Sequence, residues 1–248
     1  MFKKTLIIST LFIVFSACSN PSRISNNLIY VMIDQTDTSL NYQNIVKSSI
    51  IKIVNLSGLS KDGSSPNGCT IKKFDINSLS DNKSKEAVIG CGSVGLSGDN
   101  PLDRNDDIKM FIKNTESILA PDNSKSGTFS QSKIYQNVCR ELNVMTSNNQ
   151  TFTTRRLVIF SDMLENSDLF SIYRSNIDFN NEEKLDEVLQ EMEKSDCILP
   201  DLSNVEIYIV VSRSEDNDEI INKSAKLWEY IFNSKNVKKI NFDSELSL

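Results

Sequence analysis

Oxygen-bearing side chains at a regular spacing directly follow a short apolar segment of the chain. Asp34, Thr36 and Thr38 occupy alternate positions after an unbroken apolar run at residues 28–33. One carboxylate and two hydroxyls at this spacing suit a hard cation such as Mg²⁺, which takes oxygen ligands in octahedral geometry and keeps several waters. The alternative is that these side chains only cap the helix that follows.

The apolar run predicts a strand that is buried on both faces, because short continuous apolar runs bounded by polar residues are typical of such strands. A strand of this kind belongs to a sheet that helices cover on both sides. Residues 157–160 repeat the pattern and end at Ser161 and Asp162. In open α/β sheets, ligands bind at the carboxyl ends of the strands. We therefore expect Asp34 and Asp162 to lie on adjacent strand ends.

The rest of the chain alternates between helical and strand patterns. The predicted helices lie within residues 39–55, 108–119, 128–145, 185–192 and 221–232. The further strands are predicted at 69–76, 86–90, 205–211 and 238–242. Strands that alternate with helices indicate a doubly wound, mostly parallel sheet. We predict an α/β fold with six strands, one of them antiparallel at the edge, and helices on both faces.

The N-terminal segment has the features of a bacterial lipoprotein signal peptide. Lys3 and Lys4 precede an apolar stretch at residues 5–15, which is too short to span a bilayer. Small residues then precede Cys18, as in a bacterial lipobox, although Phe15 departs from the usual leucine. The resemblance implies that Cys18 is lipidated in the mature protein. The alternative is an ordinary secretory signal in which Cys18 is incidental.

We therefore divide the chain into a signal peptide at 1–18, a polar tether at 19–27 and one domain at 28–248. The expected location is the bacterial cell envelope, with the lipid in the outer membrane. A net charge of −6 and the lack of a basic stripe argue against a nucleic-acid partner. The sequence has no histidine, which excludes a Ser-His-Asp triad and a histidine-ligated zinc site.

Four cysteines follow Cys18 and allow three pairings. In the predicted hairpin of strands 69–76 and 86–90, the start of one strand faces the end of the other. We therefore predict a disulfide between Cys69 and Cys91. Cys139 lies on one predicted helix and Cys197 just after another, so a second bridge between them is a further possibility.

The order of elements and the Asp-x-Thr-x-Thr sequence resemble the von Willebrand factor type A (vWA) fold with its metal-ion-dependent adhesion site. The family pattern is Asp-x-Ser-x-Ser, then a distant threonine and a distant aspartate. Asp34, Thr36 and Thr38 match the first part, and Asp162 matches the last aspartate. Thr128 lies in a loop before a predicted helix and matches the lone threonine.

The resemblance covers nearly the whole mature chain. Ser126 or Ser130 could replace Thr128 as the hydroxyl ligand. The resemblance implies a site for Mg²⁺, or for Mn²⁺ or Ca²⁺, with one position left open for a carboxylate from a protein partner. The first functional hypothesis is thus a lipid-anchored binding module. Aromatic residues on the loop after the site are candidate partner contacts, and the alternative is that they pack the loop onto the sheet; they are Phe170, Tyr173 and Phe179.

Two other hypotheses compete with the binding module. The first strand also resembles the phosphorylation loop of haloacid-dehalogenase-like hydrolases, in which Asp34 would be a nucleophile that accepts phosphoryl. Thr36 stands where those phosphatases usually carry a second aspartate, and Asp162 would then imitate their metal-binding aspartates. The third hypothesis is a structural lipoprotein of the envelope whose site is degenerate.

Overall fold

The structure, a computed structural model, describes residues 24–36, 42–59, 65–76, 84–92, 101–120, 131–148, 151–213 and 217–246. The predicted signal peptide with Cys18 and two predicted ligands, Thr38 and Thr128, lie outside these residues. Among the described helices, none is long and apolar enough to cross a membrane.

Helices and strands follow one another in the predicted order. The strands are β1 (Asn26–Asp34), β2 (Gly68–Ile76), β3 (Lys85–Ile89), β4 (Thr154–Phe160), β5 (Val205–Val210) and β6 (Lys239–Asp243). The helices are α1 (Tyr42–Leu56), α2 (Pro101–Leu119), α3 (Ile134–Ser147), α4 (Glu182–Glu193) and α5 (Asp218–Ser234). The polar ends of β1 and β4 thus fall where the sequence places Asp34 and Asp162.

The six strands form one sheet in the order β3-β2-β1-β4-β5-β6. All neighbouring strands pair in parallel except β3, which runs antiparallel to β2 at the edge. The chain passes from one half of the sheet to the other between β3 and β4. The strand order therefore reverses where β1 and β4 lie side by side, and open α/β sheets bind ligands at such a switch point. The predicted α/β fold, with a doubly wound sheet and one antiparallel edge strand, is confirmed.

Side chains of β1 alternate between two cores on opposite faces of the sheet. Ile29 and Val31 pack with residues of α1 and α2. Leu28 and Met32 pack with residues of α3, α4 and α5. All four are fully buried, and burying one such side chain contributes about 1.5–3 kcal/mol. The strand that carries Asp34 is therefore anchored firmly from both sides.

β1 begins two residues before the predicted strand. Asn26 and Asn27 belong to the sheet and not to the tether predicted at 19–27. Asn27 is buried, and its side-chain amide donates to the carbonyl of Ser57. The sequence prediction misses them because it starts the strand at the first apolar residue. Asparagine can occupy a buried strand position when its side chain is hydrogen-bonded, as that of Asn27 is.

A disulfide joins Cys139 on α3 to Cys197 in the segment after α4. Asn143 lies beside it and donates its side-chain amide to the carbonyls of Cys139 and Ile198. The bridge therefore links two helices that cover the same face of the sheet. This is the pairing that the sequence leaves as a possible second bridge.

The predicted Cys69–Cys91 bridge is wrong for this structure, in which both are free thiols. The hairpin register places Ile89, and not Cys91, opposite Cys69. A Cβ atom added to Gly68 would lie 2.8 Å from Cys91 Sγ. Since successive side chains of a strand point to opposite faces, the thiol of Cys91 lies on the other face from the buried thiol of Cys69.

Candidate functional site

Asp34 stands at the end of β1 and forms the centre of the candidate site. Its side chain is only 4% exposed. Oδ1 of Asp34 accepts a hydrogen bond from the amide of Thr36 at 2.8 Å and lies 2.6 Å from Thr36 Oγ1. The described part of α1 begins at Tyr42, and the segment that joins it to Thr36 lies outside the described residues, so the capping alternative stays open.

The end of β4 supplies the next hydroxyl. Ser161 Oγ donates to Asp34 Oδ2 at 2.6 Å and accepts from the amide of Met163 at 2.9 Å. Both oxygens of Asp34 are thus hydrogen-bonded to hydroxyl groups. Asp162 follows directly, is buried, and accepts from the amide of Leu164 at 2.9 Å. The structure therefore places the predicted carboxylates at the ends of adjacent parallel strands.

Ser132 brings a third hydroxyl to the site. Its Oγ lies 2.8 Å from Thr36 Oγ1, in the short segment before α3. The sequence assigns this place to Thr128, or to Ser126 or Ser130, because the predicted helix begins near residue 128. The helix instead begins at residue 134, where the apolar stripe of α3 starts, so the hydroxyl that reaches the site lies later in the segment than predicted.

The turn after Asp162 is held in an unusual conformation. Met163 has φ 59, a left-handed value that costs free energy for a residue other than glycine. Its carbonyl accepts hydrogen bonds from Ser224 Oγ at 2.7 Å and from Trp228 Nε1 at 2.8 Å, both on α5. Two donors from a packed helix therefore fix the backbone next to the candidate site.

A further carboxyl lies behind the site. Glu165 is 2% exposed, and its Oε2 accepts from the amide of Tyr135 at 2.7 Å. Burial raises the pKa of Glu165 from 4.5 to about 7, and the nearby charge of Asp34 adds to the rise. The backbone hydrogen bond from Tyr135 acts in the opposite direction.

The donor set at this edge of the sheet consists of oxygen atoms. The carboxylate of Asp34 and the hydroxyls of Thr36, Ser132 and Ser161 form one connected set, and Asp162 follows the end of the neighbouring strand. Within the described part of the chain, no three side chains of His, Cys, Asp or Glu are grouped to hold a metal. A cation here would depend on hydroxyls and water beside the two carboxylates. Hard cations accept such ligands, so the residues fit Mg²⁺ or Mn²⁺.

The aromatic residues predicted to contact a partner have different environments. Tyr173 is 59% exposed and remains a candidate. Phe179 is buried in the core, and Phe170 is partly buried against the same core. The prediction is therefore wrong for Phe179, which is buried with the core residues on that face of the sheet and has no exposed ring for a partner.

No protein-family model matches the chain, and no curated protein matches it either. Among solved structures, human COPII-coat protein Sec24c is 10% identical with a TM-score of 0.43. That match covers 91% of this chain and 30% of Sec24c, so the chain spans less than a third of that protein. Manganese-loaded TRAP protein from Plasmodium vivax is 17% identical with a TM-score of 0.31, and the match covers 81% of this chain and 63% of TRAP.

Proposed function

We propose that the protein is an extracytoplasmic binding module of vWA-like fold that holds a divalent cation between β1 and β4. The cation would bind a carboxylate of a protein partner. One observation supports the proposal: hydroxyls from three separate segments form a connected set with the buried carboxylate of Asp34, two of them in direct contact with it and the third through Thr36. Thr36 and Ser161 contact Asp34 at 2.6 Å, and Ser132 contacts Thr36 at 2.8 Å.

The arrangement suits cation binding for a physical reason. A hydroxyl that donates its hydrogen to Asp34 has two lone pairs left, of which Ser161 uses one for the amide of Met163 and Thr36 one for Ser132, so one remains on each for a cation. Thr36 and Ser161 are therefore oriented as neutral oxygen ligands, while Asp34 and Asp162 supply negative charge. When bound, the cation would supply a positive centre that a carboxylate of the partner can coordinate. Tyr173 would provide an exposed aromatic contact for that partner.

The phosphoryl-transfer alternative is less well supported. Those phosphatases usually carry a second aspartate two residues after the nucleophile as acid and base. Thr36 stands at that position and contacts Asp34 through its hydroxyl, which does not supply a comparable acid or base. This difference favours the binding module over the enzyme.

Partner capture tests the proposal. Protein lacking residues 1–18 would be immobilised and exposed to envelope extract, with Mg²⁺ or with a chelator. We expect a partner that the parent captures only with Mg²⁺ and that Asp34→Ala does not capture. Asp106→Ala removes an exposed aspartate from α2 and is the matched control, which should behave as the parent. Capture that is insensitive to both chelator and Asp34→Ala would contradict the proposal.

We also propose that a lipid on Cys18 anchors the module in the cell envelope. The short apolar segment that ends at small residues before Cys18 supports this. Cys18→Ser should move the full-length protein from the membrane fraction to the soluble fraction. Cys91→Ser changes another cysteine and should leave the distribution unchanged. A Cys18→Ser protein that stays in the membrane fraction after a salt wash would refute the anchor.

A further inference from the structure

We propose that Glu165 is a positioning residue for the candidate cation site. Its carboxyl group, which belongs to the loop after β4, caps α3 and thereby holds Ser132 against Thr36. The inference rests on the proposed function, since the position of Ser132 matters for a cation only if the site binds one. The capping contact of Glu165 is to the amide of Tyr135, which is not a proposed ligand. The sequence patterns do not point to Glu165.

The first turn of α3 lacks an ordinary cap. The N-cap residue is Lys133, which has φ −91 and ψ 60 and makes no side-chain cap hydrogen bond. The first amides of a helix have no partner within the helix, so they need an acceptor from elsewhere. Glu165 Oε2 accepts from Tyr135 N at 2.7 Å, and the amide of Ile134 also donates to this carboxyl group. Glu165 therefore does for α3 what an N-cap side chain usually does.

The backbone of Glu165 is fixed on both sides. Its amide donates to the carbonyl of Met163 at 3.1 Å, and its carbonyl accepts from the amide of Ile172 at 3.0 Å. The carbonyl of Met163 is held in turn by Ser224 and Trp228. The capping group is thus mounted on a loop that cannot shift without breaking contacts to α5.

The same loop holds Ser132 directly. Ser132 N donates to the carbonyl of Asn166 at 2.9 Å, and Asn166 N donates to the carbonyl of Ser132 at 2.9 Å. Ser132 is therefore attached to the loop by this backbone pair and by the cap on Tyr135, three residues later. Loss of the cap would free the start of α3 and leave the backbone pair as the remaining attachment of Ser132 to the loop.

Burial makes the role of Glu165 more specific than that of a surface cap. A buried carboxyl group costs free energy unless hydrogen bonds compensate for the lost water. Glu165 is 2% exposed, and donors of α3 and Ser167 compensate for this cost. A side chain so placed fixes the distance between the loop after β4 and the start of α3, and each of these segments carries a proposed ligand. Replacing a residue that orients a metal ligand typically lowers the metal affinity by about 10- to 100-fold.

The test compares two changes at Glu165 with the loss of a remote cap. Glu165→Ala removes the acceptor, whereas Glu165→Gln keeps a carbonyl oxygen that can accept from Tyr135 N. Asn181→Ala removes the N-cap of α4, whose side chain accepts from Glu183 N and Lys184 N. Asn181→Ala is the matched control, because it also deletes a helix cap but lies in a different segment.

Calorimetric titration with Mn²⁺ gives the first readout, on protein lacking residues 1–18. We expect Glu165→Ala to weaken Mn²⁺ binding by about tenfold or more. Glu165→Gln and Asn181→Ala should remain within about threefold of the parent. Equal affinity of Glu165→Ala and the parent would overturn the positioning role and leave Glu165 a simple cap.

Amide hydrogen exchange without metal gives the second readout. In Glu165→Ala the amides of Ser132 and Tyr135 should exchange faster than in the parent, while Glu165→Gln and Asn181→Ala should leave them unchanged. Unchanged exchange in Glu165→Ala would overturn the inference whatever the metal result. If the parent itself binds no Mn²⁺, the proposed function fails, and the exchange data alone decide whether Glu165 holds Ser132.

Discussion

Asp34 organises the candidate site through its two oxygens. Oδ1 accepts a hydrogen bond from the hydroxyl of Thr36, and Oδ2 accepts one from the hydroxyl of Ser161. Each hydroxyl therefore directs its hydrogen at the carboxylate. Ser132 extends the same chain of contacts by one hydroxyl. Hydroxyls oriented in advance lose less entropy on binding a cation than freely rotating ones would. The affinity of the site for a cation should therefore depend on how firmly its hydroxyl groups are held.

Replacing Ser132 tests its assignment as a ligand. Ser132→Ala removes one oxygen donor and should weaken Mn²⁺ binding about tenfold. The midpoint of thermal unfolding should change little, because Ser132 lies in the segment before α3 and outside the hydrophobic core. Ser48→Ala removes an exposed hydroxyl from α1 and serves as the control. Calorimetry on both variants measures the effect. Unchanged affinity in Ser132→Ala would exclude Ser132 from the ligand set.

The residues of the site differ in how far sequence alone predicts them. Asp34 and Asp162 directly follow strong strand signals, so their place at the sheet edge is predictable. Ser132 is not predictable in the same way, because the segment before α3 offers hydroxyls at alternate positions 124, 126, 128, 130 and 132. Tertiary pairing with Asn166 selects Ser132, and no local pattern reports that pairing.

The type and order of the helices and strands follow from local sequence patterns and are predicted well. Residue pairs that depend on the register between strands are predicted poorly. The apolar stripe of α3 and the continuous runs of β1 and β4 give the right type and order. The hairpin of β2 and β3 has the right strands, but Cys69 faces Ile89. Register depends on the connecting turn, and a small shift moves a side chain to another partner or face. The predicted cysteine pair failed for this reason.

The bridge between α3 and the segment after α4 should be the main covalent support of the fold. Cys139 and Cys197 are 58 positions apart, and the loop-entropy relation gives about 4 kcal/mol for a closed loop of this length. The double variant Cys139→Ser with Cys197→Ser should lower the free energy of unfolding by roughly that amount in urea titration. Cys91→Ser should have little effect. A stability loss in the Cys91→Ser variant equal to that of the double variant would contradict the pairing.

Across the whole molecule, buried acids make stability depend on pH. Glu141 is buried on α3, and burial raises its pKa from 4.5 to about 7, while Arg140 and Lys72 oppose the rise. Burial also raises the pKa of Glu165 to about 7. Between pH 4.5 and 7 the native state holds protons that the unfolded state has released. The contribution of these two carboxyl groups to stability therefore falls as the pH rises through this window and levels off above it.

Glu141→Gln tests this pH dependence. The amide does not titrate, so the decline in unfolding free energy between pH 5 and pH 8 should shrink by on the order of 2 kcal/mol. Part of the decline should remain because Glu165 is unchanged. Glu116→Gln on the exposed face of α2 is the control and should retain the full decline. A decline in Glu141→Gln equal to that of the parent would show that Glu141 is charged throughout this range.

The proposed cation site is tested most directly by titrating Mg²⁺ and Mn²⁺ into protein lacking residues 1–18. The parent should bind one cation per chain, and Asp34→Ala should bind none while keeping the circular dichroism of the parent. Asp162→Ala should bind more weakly than the parent, and Asp106→Ala should bind as the parent does. Equal binding by Asp34→Ala and the parent would contradict the account, because Asp34 would then orient its hydroxyl neighbours without any part in holding a cation.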